Sequence, residues 1–195
     1  LISKPELEDL KTRATAINGL HLSASIRSFR SEHVSDFVGV LLDGHAVNTK
    51  NKLDAINGDF PIVITRSIDT AKEWIKNQAR GSERYGLLAS SGARRLKAIG
   101  ITTGSVKGDE CNWFLNDAND VRSSYYLEDA ASEFETQGLE MDWSMIVWDG
   151  DLIHNPGSGW TYKAFKGSKW QHINSLENQN YRLNAYRVLL TRARQ

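Results

Sequence analysis

The chain has 195 residues, 40% of them hydrophobic and only 3 of them proline, which suits one folded unit with a sizeable core and excludes a disordered polymer. Lys and Arg together number 24 and so do Asp and Glu, so the formal net charge is zero. That excludes a global electrostatic pull toward nucleic acid and leaves only local patches for such a role. No apolar run reaches membrane-spanning length, and the single Cys111 excludes an internal disulfide framework. We therefore expect no membrane partner and a reducing, cytoplasmic setting. Leu1-Ile2-Ser3-Lys4-Pro5 does not make a signal peptide and no initiator Met is present. The expectation is a piece of a longer protein, with residues 1–20 a connecting helix and 21–195 a domain.

In chain order, Pro5 to Thr15 is charged and helical in character. Ser31 can cap a helix running to Leu42, because Val34, Phe37, Val38, Leu41 and Leu42 recur at helical spacing. Asp43-Gly44 stops it, and the polar, Asn-rich stretch from His45 to Asp59 is expected as a surface connection. Pro61-Ile62-Val63-Ile64-Thr65 has the continuous apolar character of a strand buried on both faces. Asp69 is expected to cap the next helix, with Ala71, Trp74, Ile75 and Ala79 inward and Gly81 at its end. Tyr85 to Ala89 is a second buried strand, followed by a turn at Ser90-Ser91-Gly92 into a helix through Ala93 and Leu96. Trp113-Phe114-Leu115, Tyr126 to Ala131 and Trp143 to Trp148 are further strand candidates. Trp160, Tyr162 and Ala164 alternate with polar residues, and Lys166-Gly167-Ser168 can close a hairpin over Gly157 to Trp170. Tyr181 to Thr191 is helical. Strands alternating with helices imply right-handed crossovers and a mainly parallel sheet in a three-layer α/β domain.

Familiar catalytic signatures are missing. No Gly-x-x-x-x-Gly-Lys-Ser/Thr loop is present, the five histidines are scattered, and there is no Gly-x-Ser-x-Gly elbow. Three short segments remain: Leu22-Ser23-Ala24-Ser25-Ile26-Arg27-Ser28-Phe29-Arg30, Gln137-Gly138-Leu139-Glu140-Met141-Asp142, and Tyr186-Arg187-Val188-Leu189-Leu190-Thr191-Arg192-Ala193-Arg194. In this order they resemble motifs IV, V and VI of superfamily 1 helicases. Together with Gly86-Leu87-Leu88-Ala89-Ser90-Ser91 and Glu133-Phe134-Glu135-Thr136, they are similar to the Schlafen-group-3-like DNA/RNA helicase domain family over about residues 20 to 195.

That resemblance implies the second RecA-like, P-loop NTPase-like domain of a motor. It implies ATP with Mg²⁺ as cofactor, held mainly by an N-terminal RecA-like partner domain, and single-stranded DNA or RNA as the track. Arg192 is implied as an arginine finger and Arg27 as a second γ-phosphate contact, a role suited to a permanently charged planar fork. Ile26 stands where most of the superfamily has an aromatic that stacks on adenine. Gly138, Glu140 and Gln137 are implied around the nucleotide: Gly138 for close backbone approach, Glu140 for the ribose, Gln137 for coupling. Ser132 is implied as a donor to a nucleic-acid phosphate. Independently of the resemblance, Ser90, Ser91, Arg94 and Arg95 lie at a strand-to-helix turn where phosphate binding is favoured. By itself the fragment should not hydrolyse ATP.

The rivals are bland. Thr-Arg-Ala-Arg alone suits an ordinary helix end, Arg94 and Arg95 can be a solvated face, and the hairpin aromatics more often pack on their own domain than stack on bases. A nucleic-acid-binding or protein-interaction module without ATP is the second reading. A metal-dependent nuclease using the acids from Glu133 to Asp151 is the third.

Overall fold

The computed structural model describes residues 4–15, 29–56, 58 and 60–194. Four strands form a sheet in the order β2-β3-β1-β4: β1 (Tyr85–Ala89), β2 (Thr102–Thr103), β3 (Asp129–Ala131) and β4 (Trp143–Val147). Every pairing in it is parallel, with Leu87 beside Ala130 and Met145. The architecture is a three-layer α/β domain with a mainly parallel sheet. Leu87 and Ala89 of β1 face one layer with Ile75, Trp143, Met145 and Val147, whereas Leu88 faces the other with Trp113, Met141 and Leu189. Leu87 and Leu88 are both fully buried, as a strand covered on two sides requires.

The first layer carries α4 (Ile68–Gln78). Its cap is Ser67, whose hydroxyl accepts from Thr70 N, and Asp69 sits in the first turn rather than at the cap. The helix ends at Gln78, before Gly81. Trp74 meets Trp143 edge-on at 5.8 Å. The opposite layer includes α5 (Glu110–Leu115) and α6 (Leu176–Leu190). Met141, Ser124 and Trp113 press so closely on Gly86 of β1 that any side chain there would collide with them.

A second sheet, antiparallel, follows β4: β5 (Leu152–Asn155), β6 (Gly159–Lys166) and β7 (Lys169–His172). Its inner side packs on α2 (Phe29–Leu42), α3 (Ala46–Ile56) and α6 through Leu152, Trp160, Tyr162, Phe37, Leu42 and Tyr186. α1 (Lys4–Arg13) precedes these elements.

Several expectations are corrected. His45 to Asp59 is not a surface connection, because most of it is α3. Its apolar stripe is only Leu53 and Ile56, three residues apart against α2, and polar side chains elsewhere disguise it. Pro61 to Thr65 forms no strand. Ile64 is 91% exposed, and both neighbours of β1 are supplied by β3 and β4. Apolar character signals burial but cannot choose a pairing edge. Trp113-Phe114-Leu115 closes helix α5, where Trp113 buries its ring and donates from Nε1 to Asp129 O at 3.2 Å. The strand expected from Tyr126 begins only at Asp129, after a 3₁₀ turn over Ser124–Tyr126. The strand expected to reach Trp148 ends at Val147, and Trp148 is 38% exposed and stacked on Tyr186 at 4.1 Å.

Candidate functional site

β1, β2 and β3 run parallel, so the loops after them gather at one carboxyl edge, where α/β sheets receive ligands. The loop after β1 is Ser90-Ser91-Gly92-Ala93, leading into a 3₁₀ turn over Arg94–Ile99. Ser90 is fully buried. Its hydroxyl accepts from Gly92 N at 3.1 Å and from Arg182 Nη1 at 2.6 Å. A Cβ on Gly92 would fall on the Arg182 guanidinium, so glycine is required for this close approach. Arg182 lies 3.0 Å from Asp151, a fully buried carboxylate, and Tyr186 donates to the other oxygen of Asp151 at 2.5 Å. Burial first, and the neighbouring carboxylate second, push the Tyr186 phenol far above its ordinary range.

Ser91 is turned the other way. Its backbone N and its hydroxyl both donate to the Glu133 carboxylate, at 2.9 and 2.6 Å. Glu133 belongs to the loop after β3. There Ser132 N donates to Glu135 at 2.8 Å, and Ser132 Oγ accepts from Phe134 N at 3.2 Å. Between these loops and the one after β2 lies an open cleft of about 210 Å³, lined by Ser91, Thr103, Lys107, Ser132, Phe134 and Glu135. Phe134 is 63% exposed at its rim. A serine hydroxyl, an ammonium, the Glu135 carboxylate and an exposed ring thus surround one cleft.

A chain of turns leads from this cleft to the second group of expected residues. Thr136 bonds back to Ser132 O through both its N and its hydroxyl, and Leu139 N donates to Thr136 O at 3.2 Å. Gly138 has φ +79° with open space around it, so its glycine serves a left-handed turn, and Gln137 beside it is exposed. Residues 139–141 then run alongside residues 192–194. Met141 and Ala193 form a parallel bridge, Met141 N donates to Arg192 O, and Arg194 N donates to Met141 O. Arg192 Nη1 donates to Leu139 O at 3.3 Å, and Arg194 Nε to Glu140 Oε2 at 2.8 Å. Two segments 53 positions apart in sequence, counted from Leu139 to Arg192, thus form one lip. Arg192 is only 7% exposed in it, whereas the Arg194 side chain is 60% exposed.

Residues 3–195 match the family described as Schlafen group 3, DNA/RNA helicase domain. The chain belongs to that family. No curated protein and no solved structure matches it.

Within this helicase-family domain the expected residues fall into two groups. Ser90, Ser91 and Ser132 meet at the carboxyl edge of the sheet, with Arg94 and Arg95 exposed beside them. Glu140 and Arg192 lie on the lip, and Gln137 and Gly138 form the exposed turn that leads into it. Arg27 lies outside the described residues. Sequence reasoning missed Lys107 and Phe134 on the cleft, and Arg182 behind it. Lys107 follows a β2 only two residues long, too short to show a pattern. Arg182 carried no local signal, since α6 also holds Arg187 and several Asn and Gln residues. The acids singled out for a metal are dispersed: Glu133 serves Ser91, Asp142 accepts from Arg84 N, Asp149 from Arg95 N, and Asp151 pairs with Arg182.

Proposed function

We propose that this domain is the C-terminal motor domain of an ATP-dependent DNA or RNA helicase or translocase. It would contact a single strand at the sheet edge and lend charge to a nucleotide held mainly by an N-terminal RecA-like partner domain. The observation that carries this reading is the pairing of residues 139–141 with 192–194, which puts a carboxylate and two guanidinium-bearing residues on one lip. A ribose hydroxyl and a polyphosphate are the groups such donors and acceptors suit. ATP with Mg²⁺, bound across a closing gap, would supply the driving reaction. Glu140 would receive the ribose on exchanging its bond to Arg194, and Arg192 would reach the γ-phosphate on leaving Leu139 O, with Arg27 as a second cation. Lys107 and Ser132 would hold the strand's phosphates, with Ser91 joining them on exchanging its bonds to Glu133.

Replacing Arg192 by Ala in the full-length parent should lower ATP turnover by roughly a thousandfold or more. The isolated 195-residue chain should show no turnover. Arginine-dependent hydrolysis by the isolated chain would overturn the fragment assignment.

The burial of Arg192 against Leu139 O favours a second reading, a nucleic-acid-binding module in which that residue only ties the lip together. In that case Arg192→Ala leaves hydrolysis by the parent intact while oligonucleotide affinity falls.

A further inference from the structure

The antiparallel ribbon has two unlike faces, and the pairing register sorts them. Tyr162 sits opposite Leu152 and Trp160 opposite His154, and both rings join the core cluster with α2 and α6. Trp160 also donates to Leu42 O at 2.6 Å, which ties that face down. Side chains alternate along a strand, so Lys163 and Phe165 point to the other face. Their cross-strand partners are His172 and Trp170. The Phe165 and Trp170 rings meet edge-on at 5.2 Å and are half-buried, and His172 is exposed.

The charge on this ribbon is of one sign. From Leu152 to His172 there is no Asp or Glu, while Lys163, Lys166 and Lys169 are present. Lys163 lies on the outward face, whereas Lys166 and Lys169, opposite each other next to the turn, fall on the other face by the same alternation. The outward face also approaches the sheet edge. Trp170 lies so close over Gly150 that a Cβ there would come within 3.1 Å of the ring. The neighbouring Asp149 spends its carboxylate on Arg95 N at 3.1 Å and on Gly150 N at 2.7 Å, which anchors the loop that carries Arg94 and Arg95.

We infer that the outward face of the ribbon is a second contact for single-stranded nucleic acid, continuous with the sheet edge through Gly150. Trp170, braced by Phe165, offers a base-stacking platform, and Lys163 and His172 flank it with phosphate contacts. Aromatic stacking and backbone charge together hold single strands with little sequence preference. This deepens the proposed function by lengthening the strand's footprint, and it needs no nucleotide.

The test is fluorescence anisotropy of the 195-residue chain with labelled oligo-dT and oligo-rU of about 15 nucleotides at several salt concentrations. Trp170→Ala should weaken binding about tenfold, with the thermal melt showing a folded domain. Should Trp170→Ala fail to fold, surface Lys163→Gln serves instead. It should lower the slope of log affinity against log salt by about 0.7. Unequal losses on the DNA and RNA probes would name the preferred strand. If Lys107→Glu abolishes binding while both ribbon variants bind like the parent sequence, the ribbon inference is overturned and the cleft contact stands. If neither probe binds the unmodified chain, the ribbon inference is overturned.

Discussion

The two sheets of this domain solve the same problem differently. The parallel sheet is covered on both sides, so Leu87 and Leu88, adjacent in β1, are each fully buried in different layers. The antiparallel ribbon is covered on one side only, and every residue from Gly159 to Phe165 is half-exposed. The difference teaches where substitution can be absorbed. The first sheet is positioned by packing and presents its ligand chemistry only at loop ends. The second has an outward face that packs only in part, where Phe165 and Trp170 meet and Trp170 covers Gly150. Arg182 is the joint between them, bonding to Ser90 at the end of β1 and paired with Asp151 at the base of the ribbon.

The sharpest way to break this arrangement is at that joint. Arg182→Ala leaves Asp151 buried without its cation and should cost about 3–5 kcal/mol in urea unfolding. A loss below about 1 kcal/mol would mean that the two sheets are held together elsewhere. Gly92→Ala, which displaces the same guanidinium, should move stability in the same direction. Next in size, Leu88→Ala should cost about 3 kcal/mol through the cavity it leaves, whereas Ile153→Ala on the ribbon's outward face should cost about 0.5 kcal/mol. Equal costs would erase the contrast between the sheets. Gly86→Ala should cost about 1–3 kcal/mol by overpacking Met141, Ser124 and Trp113.

The smallest effect is on pH. The Tyr186 phenol is raised from its ordinary 10.0 by burial and by Asp151. Its stabilising contribution is therefore fully present below the unfolded value of 10.0 and is lost as pH rises beyond it, because the unfolded chain ionises first. Denaturation midpoints should fall above pH 10 more steeply for the parent sequence than for Tyr186→Phe.

Much of this was legible in the residues. β1 and β4 announced themselves because apolar runs in a parallel sheet face packing on both sides. The hairpin announced itself through alternation and its Lys166-Gly167-Ser168 turn. α3 hid because two apolar side chains suffice to seat a helix on a neighbour, and Pro61 to Thr65 misled because hydrophobicity does not specify an edge. Arg192 and Glu140 could be chosen by their motifs, but their shared lip depends on pairing between distant segments, which no local pattern encodes. Arg182 hid for the same reason, since its partners Ser90 and Asp151 come from other parts of the chain. Gly138 was marked for close approach, and its φ of +79° adds a conformational reason that the residues alone did not show.

Helix α6 is fastened near its middle and just past its C-terminal end. Arg182, in its first half, holds the Ser90 loop, and just past its last turn the backbone of Arg192 and Arg194 clasps Met141. A 15-residue rod of this kind is about 22 Å long and resists compression. A push on the Ser90 loop is therefore passed along the second half of the helix to Met141, so the sheet edge and the lip are mechanically geared to each other by a single stiff element.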